Sequence, residues 1–123
     1  MSNLKLPVMS KEALSKLVGT RFMKRVAHNT HVSGYPDSLY IYYHNNLISV
    51  VGDERLVLSN AGWNTTTTSA RLNKILKDNC PNTRYRVGIR NGWTSLIDNN
   101  TALATPFSHL VIDRATGEPV VEL

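Results

Sequence analysis

The sequence predicts one α+β domain over residues 1–123: an antiparallel β-meander, one amphipathic helix and a β-hairpin, with a short N-terminal helix and a C-terminal hairpin. Three observations carry this. Between Leu39 and Ser59, three β-branched or aromatic runs are separated by the turn signals Asn45-Asn46 and Gly52-Asp53-Glu54. Between Ser69 and Lys77, Leu72, Ile75 and Leu76 recur at the three-and-four spacing of a helix. At Asn91-Gly92, two residues tolerant of positive φ stand between alternating runs, the pattern of a type I′ hairpin.

Taken in order, Ser10 offers a hydroxyl to cap a first helix through Leu14, Leu17 and Val18, and Gly19 ends it. Arg21–Val26 alternates as a half-exposed strand, with Phe22 and Val26 on one face. His28–Asp37 is rich in Asn, Ser, Gly and Pro and predicts a loop. The meander strands follow at Leu39–His44, Leu47–Val51 and Arg55–Ser59, and Asn60-Ala61-Gly62 breaks the pattern. The Thr65–Thr68 run leads into the second helix, with Thr67 or Thr68 as its N-cap and Pro81 blocking continuation. Arg71, Lys74 and Lys77 then form a basic stripe about opposite Leu72 and Leu76.

The Asn91-Gly92 turn also sets a register for Arg84–Arg90 and Trp93–Asp98. It puts Arg90 opposite Trp93, Gly88 opposite Ser95 and Arg86 opposite Ile97 on one face. Tyr85, Val87 and Ile89 share the other, core-facing side with Thr94 and Leu96. Asn99–Thr105 reads as a polar connection, and His109–Ile112 with Pro119–Val121 as a last hairpin around Asp113–Glu118.

Composition bounds the function. A chain of 123 residues with 41% hydrophobic residues can bury a core, and no apolar run approaches the roughly 20 residues of a membrane helix. Met1–Pro7 has no apolar signal-peptide centre, which predicts a cytoplasmic protein. Cys80 is the only cysteine, expected to be an inert thiol. The net charge is +5, and segments 1–30 and 69–90 each carry six cations against one acid. Basic segments of this kind favour acidic or polyanionic partners.

The stretch Leu58–Asn73, LSNAGWNTTTTSARLN, resembles an uncharacterised domain family of tailed-phage proteins. That family's signature is a Leu, three residues, Gly-Trp-x-Thr-x-Thr-Thr, two residues, then Arg, an aliphatic residue and Asn. Leu58, Gly62, Trp63, Thr65, Thr67, Thr68, Arg71, Leu72 and Asn73 occupy those places. Tyr43-His44 upstream and the Val87 and Trp93 strands downstream are similar too, so the likeness covers about 39–96, with 1–38 and 97–123 as extensions. Ala61 stands where the family has the first of two glycines, Asn46 where it has a threonine, and Asn64 where a basic residue is common. The resemblance implies a phage origin and a meander–helix–hairpin unit.

Two patches are candidate sites. Trp63, Thr65, Thr67 and Thr68 at the start of the second helix offer either an anion site reinforced by Arg71 or a structural motif with the threonines as caps and Trp63 as filler. Arg84, Arg86, Arg90 and Trp93, with the Arg71, Lys74 and Lys77 stripe, interleave cations with an aromatic ring as a partner or nucleic-acid surface would. His28 and His31 lack a third ligand, Ser108-His109 adjacency is no nucleophile–base pair, and no phosphate-binding glycine loop is present. No metal, cofactor or catalysis is therefore expected. The sequence predicts a non-catalytic accessory protein of the infected bacterial cytoplasm that binds a host protein or ribonucleoprotein complex, an anti-CRISPR-like block of a defence system being one form. Direct binding of DNA or RNA is the alternative.

Overall fold

The computed structural model describes residues 6–20, 22–35 and 37–120. Arg21 and Val121, assigned to strands from the sequence, and Met1–Lys5 lie outside them. Two sheets form. The larger has six antiparallel strands: β1 (Met23–Ala27), β2 (Thr30–Tyr35), β3 (Ser38–Tyr43), β4 (Asn46–Val51), β5 (Arg55–Ser59) and, returning beside β5, β9 (His109–Asp113). The smaller joins β6 (Tyr85–Arg90), β7 (Trp93–Asp98) and β8 (Ala104–Pro106). Helices α1 (Lys11–Val18) and α2 (Thr66–Asn79) complete the α+β fold that the sequence predicts.

Local chemistry explains most boundaries. Ser10 caps α1 by accepting from the Ala13 amide at 3.2 Å, and Gly19 closes it at φ 58°. Of the predicted α1 stripe, Leu14 and Val18 are buried, whereas Leu17 is exposed. The predicted loop at His28–Asp37 is instead mostly strand. Asn29 takes φ 51° in a tight turn, and Thr30, Val32 and Gly34 then face the core. Gly34 lies under α1, where even a Cβ would stand at an ordinary contact distance of 3.4 Å from a Val18 methyl. The next turn sits at His44-Asn45, one residue earlier than expected, with both at positive φ.

Helix α2 starts earlier than the sequence suggests. Its N-cap is Thr65 rather than Thr67 or Thr68, with Thr65 Oγ1 accepting from the Thr68 amide at 3.3 Å. Leu72, Ile75 and Leu76 are fully buried as predicted, beside Leu56, Leu58 and Ile112 of the larger sheet. Its C-terminal turn holds the N-terminal segment: Asn79 Nδ2 donates to the Met9 carbonyl at 2.9 Å and Asn79 Oδ1 accepts from the Lys11 amide at 2.9 Å. Cys80 is buried, and burial raises its thiol pKa, as suits an unreactive group.

The hairpin β6–β7 has the predicted register, with Arg90 opposite Trp93, Gly88 opposite Ser95 and Arg86 opposite Ile97. Asn91 and Gly92 both take positive φ. What the sequence leaves as a polar connection contains β8, which pairs with β7 and makes it a central strand. Ser95 and Ile97 are consequently buried although they lie on the outer side. The C-terminal hairpin is present among the described residues as a bridge of Ile112 with Pro119, with the Asp113 amide donating to the Glu118 carbonyl at 2.9 Å and the Val120 amide to the Val111 carbonyl at 2.8 Å; the other edge of β9 pairs along its length with β5. No helix among the described residues is long and apolar enough to cross a membrane.

Candidate functional site

The Asn60–Asn64 segment joins the two sheets and organises the candidate site. Asn60 is buried; its Nδ2 donates to Asn64 Oδ1 at 3.2 Å and to Thr94 Oγ1 at 3.1 Å. Asn64 Oδ1 accepts from the Thr94 amide at 2.8 Å and hydroxyl at 2.9 Å. Two asparagines thus pin the loop to β7, and neither their role nor that of Thr94 stood out in the sequence. The only signal for it is two amides four residues apart beside a glycine. Ala61 and Gly62 take φ 52° and 84° inside this loop. Left-handed backbone strains alanine and not glycine. Ala61→Gly should therefore stabilise the protein by about 1 kcal/mol, read as a rise in denaturation midpoint; a fall would contradict this account.

A loop held in this way cannot tuck its tryptophan inward. Trp63 is 57% exposed, which corrects the expectation that it fills the core. It walls a cleft of about 450 Å³ whose other sides are Tyr43, His44 and Asn46 of the β3–β4 turn, with Ile48 and the α2 threonines. Thr65 Oγ1 lies 3.3 Å from Thr67 Oγ1 and donates to the buried Thr68 hydroxyl at 3.0 Å. These threonines are first of all the capping structure of α2. The cleft is nevertheless where the motif residues meet, and its β3–β4 wall follows only from a turn far away in sequence.

Arg71 does not belong to a solvent stripe. One turn before Ile75, it lies on the buried side of α2 and is 4% exposed. Its Nε donates to Thr30 Oγ1 at 3.0 Å, Nη1 to the Thr67 carbonyl at 3.1 Å and Nη2 to the His28 carbonyl at 3.2 Å. The guanidinium carbon stands 3.9 Å from the centre of the Tyr43 ring. Burial lowers the pKa of Arg71, which Tyr43 opposes, and no carboxylate contacts the guanidinium among the described residues. Arg71 is thus a brace between α2, β2 and β3, placed behind Tyr43 rather than in the cleft. Asn73 of the same motif also joins elements, its Oδ1 accepting from the Val87 amide at 2.9 Å.

The remaining cations are divided. Lys74 is paired with Asp78 at 2.7 Å, and Lys77 is half-buried. Arg84 sits apart from the outer hairpin face, bridging Asp98 at 3.1 Å and Glu118 at 2.8 Å and lying 4.6 Å over the Tyr85 ring. The Asp98 hydrogen bond, with Glu118 nearby, raises its pKa. Arg86 and Arg90 share the outer face with Trp93, Arg86 bonded to Asn99 and Arg90 exposed. Trp93 is 58% exposed and stands over a second cleft, of about 440 Å³, walled by Gly62, Asn64, Pro106 and Phe107. One loop therefore separates two clefts, each with an exposed indole.

In a wider depression near Glu12, Asp53 and Asp113, two of the lining carboxylates are ion-paired, Asp53 with Lys11 at 2.7 Å and Glu12 with Arg114 at 3.4 Å. Among the described residues, no group of three His, Cys, Asp or Glu is arranged to hold a metal. The outward-facing indoles, not charge clusters, are the distinctive chemistry.

Neither the curated proteins nor the solved structures hold a match to this chain. The Kyanoviridae Gp96 protein family matches it over residues 6–115, a span that takes in the Asn60–Asn64 loop, both indoles, α2 and all nine strands. The chain belongs to that family of tailed-phage proteins.

Proposed function

We propose that this chain is a non-catalytic accessory protein that acts in the cytoplasm of the infected bacterial host, where it docks onto a host complex and interferes with it, a defence complex being the target class we favour. The observation that supports this reading is the pair of tryptophans, each more than half exposed, on either side of one hydrogen-bonded loop. Exposed indoles on a rigid base are typical anchors of protein interfaces, since they bring large contact area with few rotatable bonds. The nearby cations are partly spent on internal partners, so the surface offers more aromatic area than free positive charge.

Capture of host proteins by the tagged chain tests this. The Trp63→Ala, Trp93→Ala double variant should bind its partner about 100-fold more weakly, as loss of two anchors implies, with its melting temperature little changed. Undiminished capture of the same proteins by the double variant would refute the docking surface.

A second reading, direct binding of DNA or RNA, draws on Arg86 and Arg90 flanking Gly88 beside Trp93. It expects a gel shift that weakens steeply with salt, as phosphate contacts release counterions, and that Arg86→Glu with Arg90→Glu abolishes. Absence of any shift at low salt would remove it.

A further inference from the structure

Antiparallel pairing gives the larger sheet two ends, and the described acidic residues all stand at one of them. There lie the turns after β2 and β4 and the close of β9, with Asp37, Asp53, Glu54 and Asp113. Glu12 joins them through Arg114, and Asp78 through the Met9 amide at the C-terminal turn of α2. Glu118, whose carbonyl accepts from the Asp113 amide, brings Asp98 with it through their shared Arg84. Glu122 lies outside the described residues. The opposite end holds the turns after β1 and β3, joined where the Asn29 carbonyl accepts from the His44 amide at 2.9 Å. Trp63 and Trp93 belong to this end, and neither of their clefts is lined by an acid.

Three guanidinium groups stand at the acid-free end. Arg25, opposite His31, and Arg90, beside the hairpin turn, are exposed. Arg71 is buried, and no carboxylate among the described residues neutralises it. Its guanidinium carbon is 3.9 Å from the centre of the Tyr43 ring, and Tyr43 is a wall of the Trp63 cleft. Protein rather than water therefore lies between this charge and the cleft, so the cleft feels it with little screening.

We infer that the Trp63 cleft receives an acidic protein segment, with a carboxylate set beside a large apolar side chain. The inference rests on the docking reading and names the chemistry of its partner. A buried cation without a counter-ion is a deficit that a carboxylate in the cleft would offset. Trp63 and Ile48 supply apolar wall. Asn46 is exposed and spends one amide hydrogen on the His44 carbonyl, which leaves the other for a carboxylate. Nucleic acid fits less well. Its affinity grows with every phosphate neutralised, and this end exposes only the guanidinium groups of Arg25 and Arg90.

Indole emission tests this directly, because Trp63 and Trp93 are the only tryptophans of the chain. In Trp93→Phe, Trp63 is the sole reporter. A random copolymer of glutamate and tyrosine should shift its emission at low salt, excited where tyrosine does not absorb. The copolymer of lysine and tyrosine should not. Thr67→Asp puts a carboxylate into the cleft wall at the first turn of α2, where it favours the helix. It should keep or raise the melting temperature yet weaken binding of the acidic copolymer at least about 10-fold. Asn46→Asp, on the facing wall, should weaken it likewise. Equal response to both copolymers would overturn the inference, as would aspartate variants that bind like wild type. Silence towards the acidic copolymer while Trp63→Ala still abolishes capture of host protein would also overturn it, and the docking reading would stand without it. Silence together with undiminished capture would end both. A response to oligothymidylate alone would assign the cleft to nucleic acid, and emission that moves with the chain's own concentration would assign it to a second copy; either result overturns the inference.

Discussion

Replacing Arg71 with methionine should destabilise the protein by about 3 kcal/mol and lower its melting temperature by about 10 °C. Methionine keeps much of the length and apolar stem but supplies no donor. Three acceptors, Thr30 Oγ1 and the carbonyls of Thr67 and His28, would lose the guanidinium at once. Tyr43 would lose the cation stacked on its ring. Arg71→Lys should recover little, because one ammonium cannot reach three acceptors set around a planar fork. Equal stability of the lysine variant and wild type in urea unfolding would show that charge alone, not the fork, matters.

The second large effect is expected at Gly117. Its φ is 70°, and a Cβ there would stand 2.7 Å from Thr83 Cβ and 2.9 Å from Thr83 Cα. The obstacle is the Cα–Cβ bond of Thr83, which no rotamer change can swing aside. Thr83 is buried and donates its hydroxyl to the Gly117 carbonyl at 2.7 Å, so any shift also stretches that bond. Gly117→Ala should cost about 3 kcal/mol. Gly92→Ala is the control: its φ of 82° is just as left-handed, yet nothing lies within 4 Å of the added carbon. It should cost only about 1 kcal/mol. If thermal unfolding gave the two variants equal losses, the contact with Thr83 would not be the cause.

Much of the fold is legible in local sequence. Asn91-Gly92 sets its own register because a type I′ turn admits one pairing of the flanking residues, and β6–β7 follows it. Leu72, Ile75 and Leu76 declare the inner side of α2 by spacing alone. The errors share a cause. Thr30–Tyr35, with its Ser, Gly and neighbouring Pro, resembles a loop in composition, so β2 goes unseen. With β2 unseen, Arg71 has no buried partner in prospect and is assigned to solvent; Thr30 and the His28 carbonyl reverse that. β8 is three residues long and ends in Pro106, too short for alternation to register. The candidate cleft joins residues 43–48 to 63–68, and tryptophan's size argues for burial until the Asn60–Asn64 pins are known. The register alone, by contrast, puts the indole of Trp93 outward, and it is exposed.

The return of β9 to the larger sheet shapes how the chain reaches its native state. Strands β1 to β5 pair with immediate neighbours, whereas Ser59 meets His109 only after α2 and the smaller sheet have intervened. Short-range hairpins close in microseconds, but a pairing across so long an excursion waits for the intervening unit to shorten the effective loop. The edge of β5 that faces away from β4 therefore has no strand partner until the smaller sheet has been made and β9 has followed it. An unpaired β5 edge is a site for wrong pairing, so the chain is expected to fold more cleanly when the helix–hairpin insert forms early and brings β9 to it.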